Sequence, residues 1–338
     1  MKKTLILVAI LAVTLTWTLS LSPAAAGPIT LTYSNFFPPV HTQSKLAEAW
    51  CKEVEKRTNG QVVIQYFPGQ TLTKGQVCYD GVVQGISDIG LSVLAYTRGR
   101  FPVMEVLDLP LGYQSGRQAT AVVNEVYTKI QPKELSDTQV MYLHAHGPGL
   151  LATRKKPVRA LEDLKGMKVR STGCSAKVVE ALGGTPVAKP MPECYQLLEK
   201  GVVDASVHPV ESNKGWSLGE VIDFVTESYP AGYTTTFFVV MNKDKWNSLP
   251  DDVKKTIQEI NQEWIGKTGE AWDQADQEGW NFIKEKGVEV IKLSDEESKR
   301  WGEAVKPLLD EFVKKAEAAG LPGAEALKAS QEAVEKFK

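Results

Sequence analysis

The sequence predicts an α/β protein of two lobes with a cleft between them, and three observations carry that reading. First, two distant stretches read alike: Cys78-Tyr79-x5-Gly85-x-x-Asp88 and Cys194-Tyr195-x5-Gly201-x-x-Asp204. Each sets a helical run before a glycine and a strand after it, the mark of one α/β unit used twice, although chance is an alternative when only four of eleven positions match. Second, strand and helix signals alternate in both halves, the order that builds a parallel sheet covered on both faces. Third, the run from Pro250 to about Lys286 is helical with few breakers. A helix that long lies across both lobes or breaks at Gly266, Gly269 and Gly279.

The elements follow in order. Ile29 to Ser34 alternates apolar and polar residues as a strand does, and Asn35-Phe36-Phe37-Pro38-Pro39 ends it. A helix over Thr42 to Thr58 gathers Leu46, Ala49, Trp50 and Val54 on one face and stops at Asn59-Gly60. Val62 to Phe67 is the next strand, Lys74 to Gln84 the helix carrying Cys78, and Ile86 to Leu91 the third strand. The second half repeats the pattern with a strand at Lys168–Arg170, a helix at Cys174–Leu182, a strand at Pro186–Ala188, a helix at Pro192–Lys200 and a strand at Val202–Val207. Pro192 suits a first helical position, where its missing N–H costs nothing. Phe237 to Met241 is a lone buried-type strand by which the chain returns to the first lobe. The last 45 residues read as a charged helix that covers a lobe with Trp301, Val305, Leu308, Leu309 and Phe312.

Residues 1–26 have Lys2 and Lys3, an apolar run from Leu5 to Leu15, and Ala24-Ala25-Ala26 before Gly27, the layout of a cleaved export signal. The apolar run is shorter than the roughly 20 residues that span a bilayer. The expected product is an exported, periplasmic protein cut near Ala26. A net charge of −2 with both signs scattered along the chain argues against nucleic acid as a partner, and no basic tract suggests anionic lipid. Four cysteines in an exported chain suggest disulfides, and four allow three pairings. If successive helices of each repeat pack side by side, the pairs are Cys51–Cys78 and Cys174–Cys194.

No G-x-S-x-G, H-E-x-x-H, P-loop or G-x-G-x-x-G occurs, so no enzyme class and no cofactor is indicated. His144-x-His146 offers two histidines, too few for a closed metal site, and reads as a strand end. Arg170 is the sharpest candidate for a binding residue. It stands where a short strand turns toward the next helix, the end at which open α/β sheets bind ligands. Its planar fork matches a carboxylate with two parallel hydrogen bonds. His208 ends the last strand of the same lobe and could donate to the same ligand. Phe36 and Phe37 follow the first strand and Tyr233 precedes the returning strand, so all three come near the cleft; Met191 and Trp216 are weaker members of that group.

Several segments carry a further signal by their order and spacing: Gly60-x4-Gln65-x-Phe67-Pro68-Gly69-Gln70-x-Leu72, Gly85-x-x-Asp88, Leu164-Lys165-Gly166-Met167-Lys168-Val169-Arg170, Gly183-Gly184-x-Pro186, then Glu193, Tyr195, Leu198 and Asp204, and Met241-Asn242-Lys243-x-x-Trp246-x-x-Leu249-Pro250. With them the chain resembles the extracytoplasmic solute-binding proteins of tripartite ATP-independent periplasmic (TRAP) transporters, the dicarboxylate-binding-protein-like family. The resemblance implies a periplasmic binding protein (venus-flytrap) fold with a long helix bridging both lobes. On it, lobe I is residues 27–146 plus 236–276 and lobe II is 147–235 plus 277–338. It further implies a monomer that captures an organic acid, holds the carboxylate with Arg170, and delivers it to the small and large membrane subunits of a permease driven by an ion gradient. Many sugar-acid-binding members have asparagine in place of His208 and a further arginine near Gly149. Lacking both, this chain is expected to favour an aromatic or hydrophobic monocarboxylate. A periplasmic sensor for a signalling partner and an exported hydrolase are the alternative readings.

Overall fold

A computed structural model of the chain describes residues 27–338. The expected export signal, residues 1–26, lies outside them. The first unit runs β1 (Ile29–Asn35), α1 (Thr42–Arg57), β2 (Val62–Phe67), α2 (Cys78–Val83), β3 (Ile89–Val93), α3 (Gly116–Ile130) and β4 (Thr138–Ala145). The second runs β5 (Gly149–Thr153), β6 (Lys168–Ser171), α4 (Cys174–Ala181), β7 (Thr185–Ala188), α5 (Cys194–Glu199), β8 (Ala205–Pro209), α6 (Ser212–Gly215) and β9 (Phe224–Glu227). Then come β10 (Thr236–Asn242), α7 (Lys243–Ser248), α8 (Asp251–Glu285), β11 (Glu289–Lys292), α9 (Asp295–Val305), α10 (Pro307–Ala318) and α11 (Gly323–Lys336). Two mixed sheets result, in the orders β2-β1-β3-β10-β4 and β11-β9-β5-β8-β6-β7. The lone strand β10 does return to the first sheet, antiparallel to both β3 and β4.

The repeated motif has the same structural role in both units. Gly85 (φ +73°) and Gly201 (φ +68°) take the left-handed conformation that ends α2 and α5. Asp88 then accepts the Thr32 N–H of β1 at 2.8 Å, and Asp204 accepts the Lys168 N–H of β6 at 2.9 Å. These turns take up residues 86–88 and 202–204. Strands β3 and β8 therefore start at Ile89 and Ala205, later than alternation alone predicts.

The expected disulfides do not form: Cys51, Cys78, Cys174 and Cys194 are buried free thiols. Strand order is the reason. The chain crosses from β1 outward to β2 and then back past β1 to β3. Two right-handed crossovers in opposite directions put α1 and α2 on opposite faces of the sheet. Cys51 therefore packs with Leu31, Trp50 and Val54, while Cys78 lies over Gly90 beside Val82 on the other face. β6, β7 and β8 repeat the reversal, which leaves Cys174 and Cys194 in separate cores. The Cys194 thiol donates to Ser206 Oγ at 3.3 Å instead.

Helix α8 is an unbroken run of 35 residues, about 50 Å long at 1.5 Å per residue. It packs on α1, α3 and β4 of the first unit and on α6 of the second, so it crosses between them. Two of its glycines are close-approach sites: a Cβ on Gly269 would lie 2.9 Å from Arg117 Cα, and one on Gly279 would lie 2.3 Å from the Val210 carbonyl. The C-terminal segment departs from the single covering helix expected. Trp301 and Phe312, from α9 and α10, enter the core that includes Val169 and Val207. Leu321-Pro322 then turns the chain, and α11 lays Ala326, Ala329 and Ala333 against α3. Gln118 Nε2 donates to the Val334 carbonyl at 3.0 Å, and Lys336 pairs with Glu125 at 2.9 Å. Residues 323–336 thus pack on the first unit.

One buried acid sets a pH dependence. Asp108 accepts from Thr236 N at 2.8 Å and from Thr236 Oγ1 at 2.9 Å, and burial pushes its carboxyl up to about 7. Between the ordinary aspartate value and that point the folded chain keeps a proton that the unfolded chain has lost. This contribution to stability is therefore complete below about pH 4 and lost as pH rises to 7. Asparagine mimics the protonated acid. Asp108→Asn is expected to be about 2 kcal/mol more stabilising at pH 8 than at pH 5. Urea melts at the two pH values check it, and an equal effect at both would remove the buried proton.

Candidate functional site

The carboxyl ends of β1, β3, β4, β6 and β8 converge where the two sheets face each other, and with them the amino end of antiparallel β10. Between them is a cavity lined by both sheets. The first sheet supplies the apolar wall. Asn35 closes a tight turn by accepting the Phe37 N–H at 2.9 Å, which holds Phe36 and Phe37 with ring centroids 4.2 Å apart. Phe237 of β10 stacks on Phe36 and Phe37, and Trp272 of α8 lies 5.2 Å from Phe237. The second sheet supplies Arg170, Met191, Glu211, Trp216 and Tyr233. Two interlobe hydrogen bonds close the cleft around the cavity: Met191 N to Tyr96 Oη at 2.9 Å, and His41 Nε2 to Glu211 Oε2 at 2.9 Å.

Arg170 is the electrostatic centre of the site. Its side chain is 2% exposed, and its Nε donates to the Lys189 carbonyl at 2.8 Å. Among the described residues it has no ion-pair partner. A buried guanidinium without an anion is costly, so the cavity favours an anionic group beside it. Glu211 is also buried and lines the same cavity. Burial raises its carboxyl, but His41 and the Ser212 hydroxyl, at 2.5 Å, outweigh that and hold it below the ordinary value. Asp276 of α8 accepts the Glu211 N–H at 2.9 Å, and burial pushes it up to about 7.

Six of the seven residues expected at the ligand, Arg170, Phe36, Phe37, Tyr233, Met191 and Trp216, line this cavity. His208 does not. It points to the α5 side of β8, where Nδ1 meets Ser206 Oγ and Nε2 meets Asn213 Oδ1, both at 3.0 Å. An amide oxygen only accepts, so Nε2 carries the proton and Nδ1 accepts from Ser206. Both ring nitrogens are used by the protein, and burial pushes the ring down to about 4, which keeps it neutral. In the His144-x-His146 pair, His144 Nδ1 accepts from Trp272 Nε1 at 3.1 Å, while His146, which lines the cavity, bonds the Gly147 carbonyl through Nδ1. Sequence reasoning missed Tyr96, Glu211, Phe237 and Trp272 as cavity residues. Only Glu211 left a signal, as an acid directly behind the end of a strand.

Gly149 explains the placing of the Tyr233 ring. A Cβ there would lie 2.3 Å from the Tyr233 ring, so the ring occupies the space that any side chain at 149 would need.

The model of bacterial extracellular solute-binding protein family 7 (DctP) matches residues 33–316. The chain belongs to that family. This family-7 protein is 38% identical to a TRAP periplasmic solute-binding protein from Desulfovibrio salexigens, solved in an open form, over 92% of this chain and 97% of that one, with a TM-score of 0.81. It is 29% identical to a marine metagenome TRAP solute-binding protein specific for aromatic acids, solved with 3-hydroxybenzoate, over 93% and 100% of the two chains, with a TM-score of 0.88. It is also 27% identical to the C4-dicarboxylate-binding periplasmic protein of Rhodobacter capsulatus, over 87% of this chain and 89% of that one. The family-7 protein is thus a TRAP-type solute-binding protein with the two-lobed α/β fold. Among its described residues no helix is long and apolar enough to cross a membrane.

Proposed function

We propose that this protein closes on an aromatic or otherwise apolar monocarboxylate in the periplasm and hands it to the two membrane subunits of a TRAP permease. Arg170 takes the carboxylate through its fork, and Phe36, Phe37, Met191, Trp216 and Tyr233 enclose the body. The observation that carries the reading is a buried guanidinium with no anion beside it, set in a wall of aromatic rings. Gly149 adds to it, since the Tyr233 ring fills the place where a second cation would stand. The two moving bodies are residues 27–146 plus 236–276 and 323–338, and the second-sheet unit 147–235 plus 277–322. Closure sequesters the ligand because Arg170 and the phenylalanines come from opposite sides of the cleft.

A thermal-shift and calorimetry series tests the class of ligand. Benzoates, phenylacetates and mandelate are expected to stabilise the protein, by about 2.7 kcal/mol at 100 times their dissociation constants. Galactonate, glucuronate and succinate are expected to bind at least tenfold more weakly, because their hydroxyls or second carboxylate would be buried against aromatic rings. Tight binding of a sugar acid with no response to any aromatic acid would overturn the proposal.

A further inference from the structure

Arg170 satisfies one end of a ligand, and the same cavity carries unanswered acceptors. Glu211 is 3% exposed and ionised. Its oxygens receive two protein donors, Ser212 Oγ at 2.5 Å and His41 Nε2 at 2.9 Å. A carboxylate has about four lone-pair sites, so room for further donors remains. The His41 ring donates through Nε2, and its Nδ1 accepts the Gln43 N–H at 3.2 Å. His146, also 3% exposed, lines the cavity as well. Its Nδ1 faces the Gly147 carbonyl, which can only accept, so the proton is on Nδ1 and Nε2 presents a lone pair. Among the described residues nothing donates to that Nε2.

Resting on the reading that Arg170 binds the carboxylate, we infer that Glu211 and His146 form a second polar subsite. It accepts a hydrogen bond from an uncharged donor, such as a hydroxyl, on the apolar body of the ligand. A ligand without that donor leaves the His146 lone pair dry beside the Glu211 carboxylate, and a ligand with only an acceptor there meets the Glu211 charge. Sites built to hydrogen-bond a hydroxyl reject the analogue lacking it far more strongly than apolar pockets reject a missing methylene. The subsite therefore selects hydroxylated aromatic acids over plain or methoxylated ones.

The test is calorimetry of the full chain with 3- and 4-hydroxybenzoate, benzoate and the matching methoxybenzoates. At least one hydroxybenzoate is expected to bind tenfold or more tightly than benzoate and its methoxy counterpart. That ratio is expected to fall to about threefold or less in Glu211→Gln and in His146→Phe. Reading a ratio within each variant cancels any general loss from a weaker interlobe contact, and the two variants lie on different elements in case one folds poorly. Tight binding of all the benzoates without a hydroxyl preference would overturn the subsite and leave the Arg170 reading standing. A preference that persists unchanged in both variants would assign the donor's partner elsewhere. Failure of every aromatic acid to bind would overturn both readings.

Discussion

Arg170→Ala is expected to abolish tight binding of the carboxylate while the protein stays folded. The arginine makes no ion pair among the described residues, so its loss strands no protein acid. One hydrogen bond to the Lys189 carbonyl is lost, at a cost of about 1 kcal/mol, offset in part because a buried, unpaired charge is also removed. Binding suffers far more. A carboxylate enclosed without its partner costs about 2–5 kcal/mol, roughly 30-fold to several thousand-fold in affinity. Arg170→Lys should recover only part, since an ammonium cannot offer two parallel donors. Calorimetry on both variants, with a thermal melt of the unliganded protein, decides the matter. Near-normal affinity in the alanine variant would place the carboxylate anchor elsewhere.

The second large effect is on α8, where the same substitution is expected to have opposite signs at two glycines. At Gly279 a methyl group would sit 2.3 Å from the Val210 carbonyl and 3.0 Å from Glu211 Cα, both backbone atoms that cannot swing aside. Gly279→Ala must lift the helix off the turn after β8, a distortion of about 1–3 kcal/mol. Because that turn carries Glu211, held to α8 through Asp276 at 2.9 Å, ligand affinity should fall with stability. At Gly266 a methyl group meets nothing within 4 Å. There Gly→Ala should stabilise by about 0.5–1 kcal/mol, the ordinary gain from restricting the unfolded chain and favouring helix. Urea denaturation of the two variants side by side reads the difference. Equal effects would mean that the close approach of α8 to the second sheet is relaxed in solution.

Tertiary placement also changes what individual residues can do. His208 ends a strand beside the cleft, as the sequence indicates, yet its ring is not part of the cavity lining. Ser206, two residues before it on the same face, and Asn213 take up its nitrogens. The phenylalanines after β1 show the reverse. A Phe-Phe pair beside a turn has no local reason to be exposed, and the fold gives it Phe237 and Trp272 to pack against.

What the sequence determined by itself is whatever depends on neighbours along the chain. The alternation of strand and helix, the Gly-x-x-Asp turns that tie each unit together, the breaker-poor run that becomes α8 and the arginine at a strand end are all local patterns, set by propensity, turn chemistry and periodicity. Only the tertiary structure decided the rest. The order β2-β1-β3 and its repeat in the second sheet reverse the direction of crossing, so helices that follow one another lie on opposite faces and the four cysteines stay apart. Residues from Phe36 to Trp272 meet in one cavity because strand ends separated by more than two hundred residues are brought to one edge. No local preference records that meeting, since the free energy that fixes it comes from burying the two sheets against shared helices.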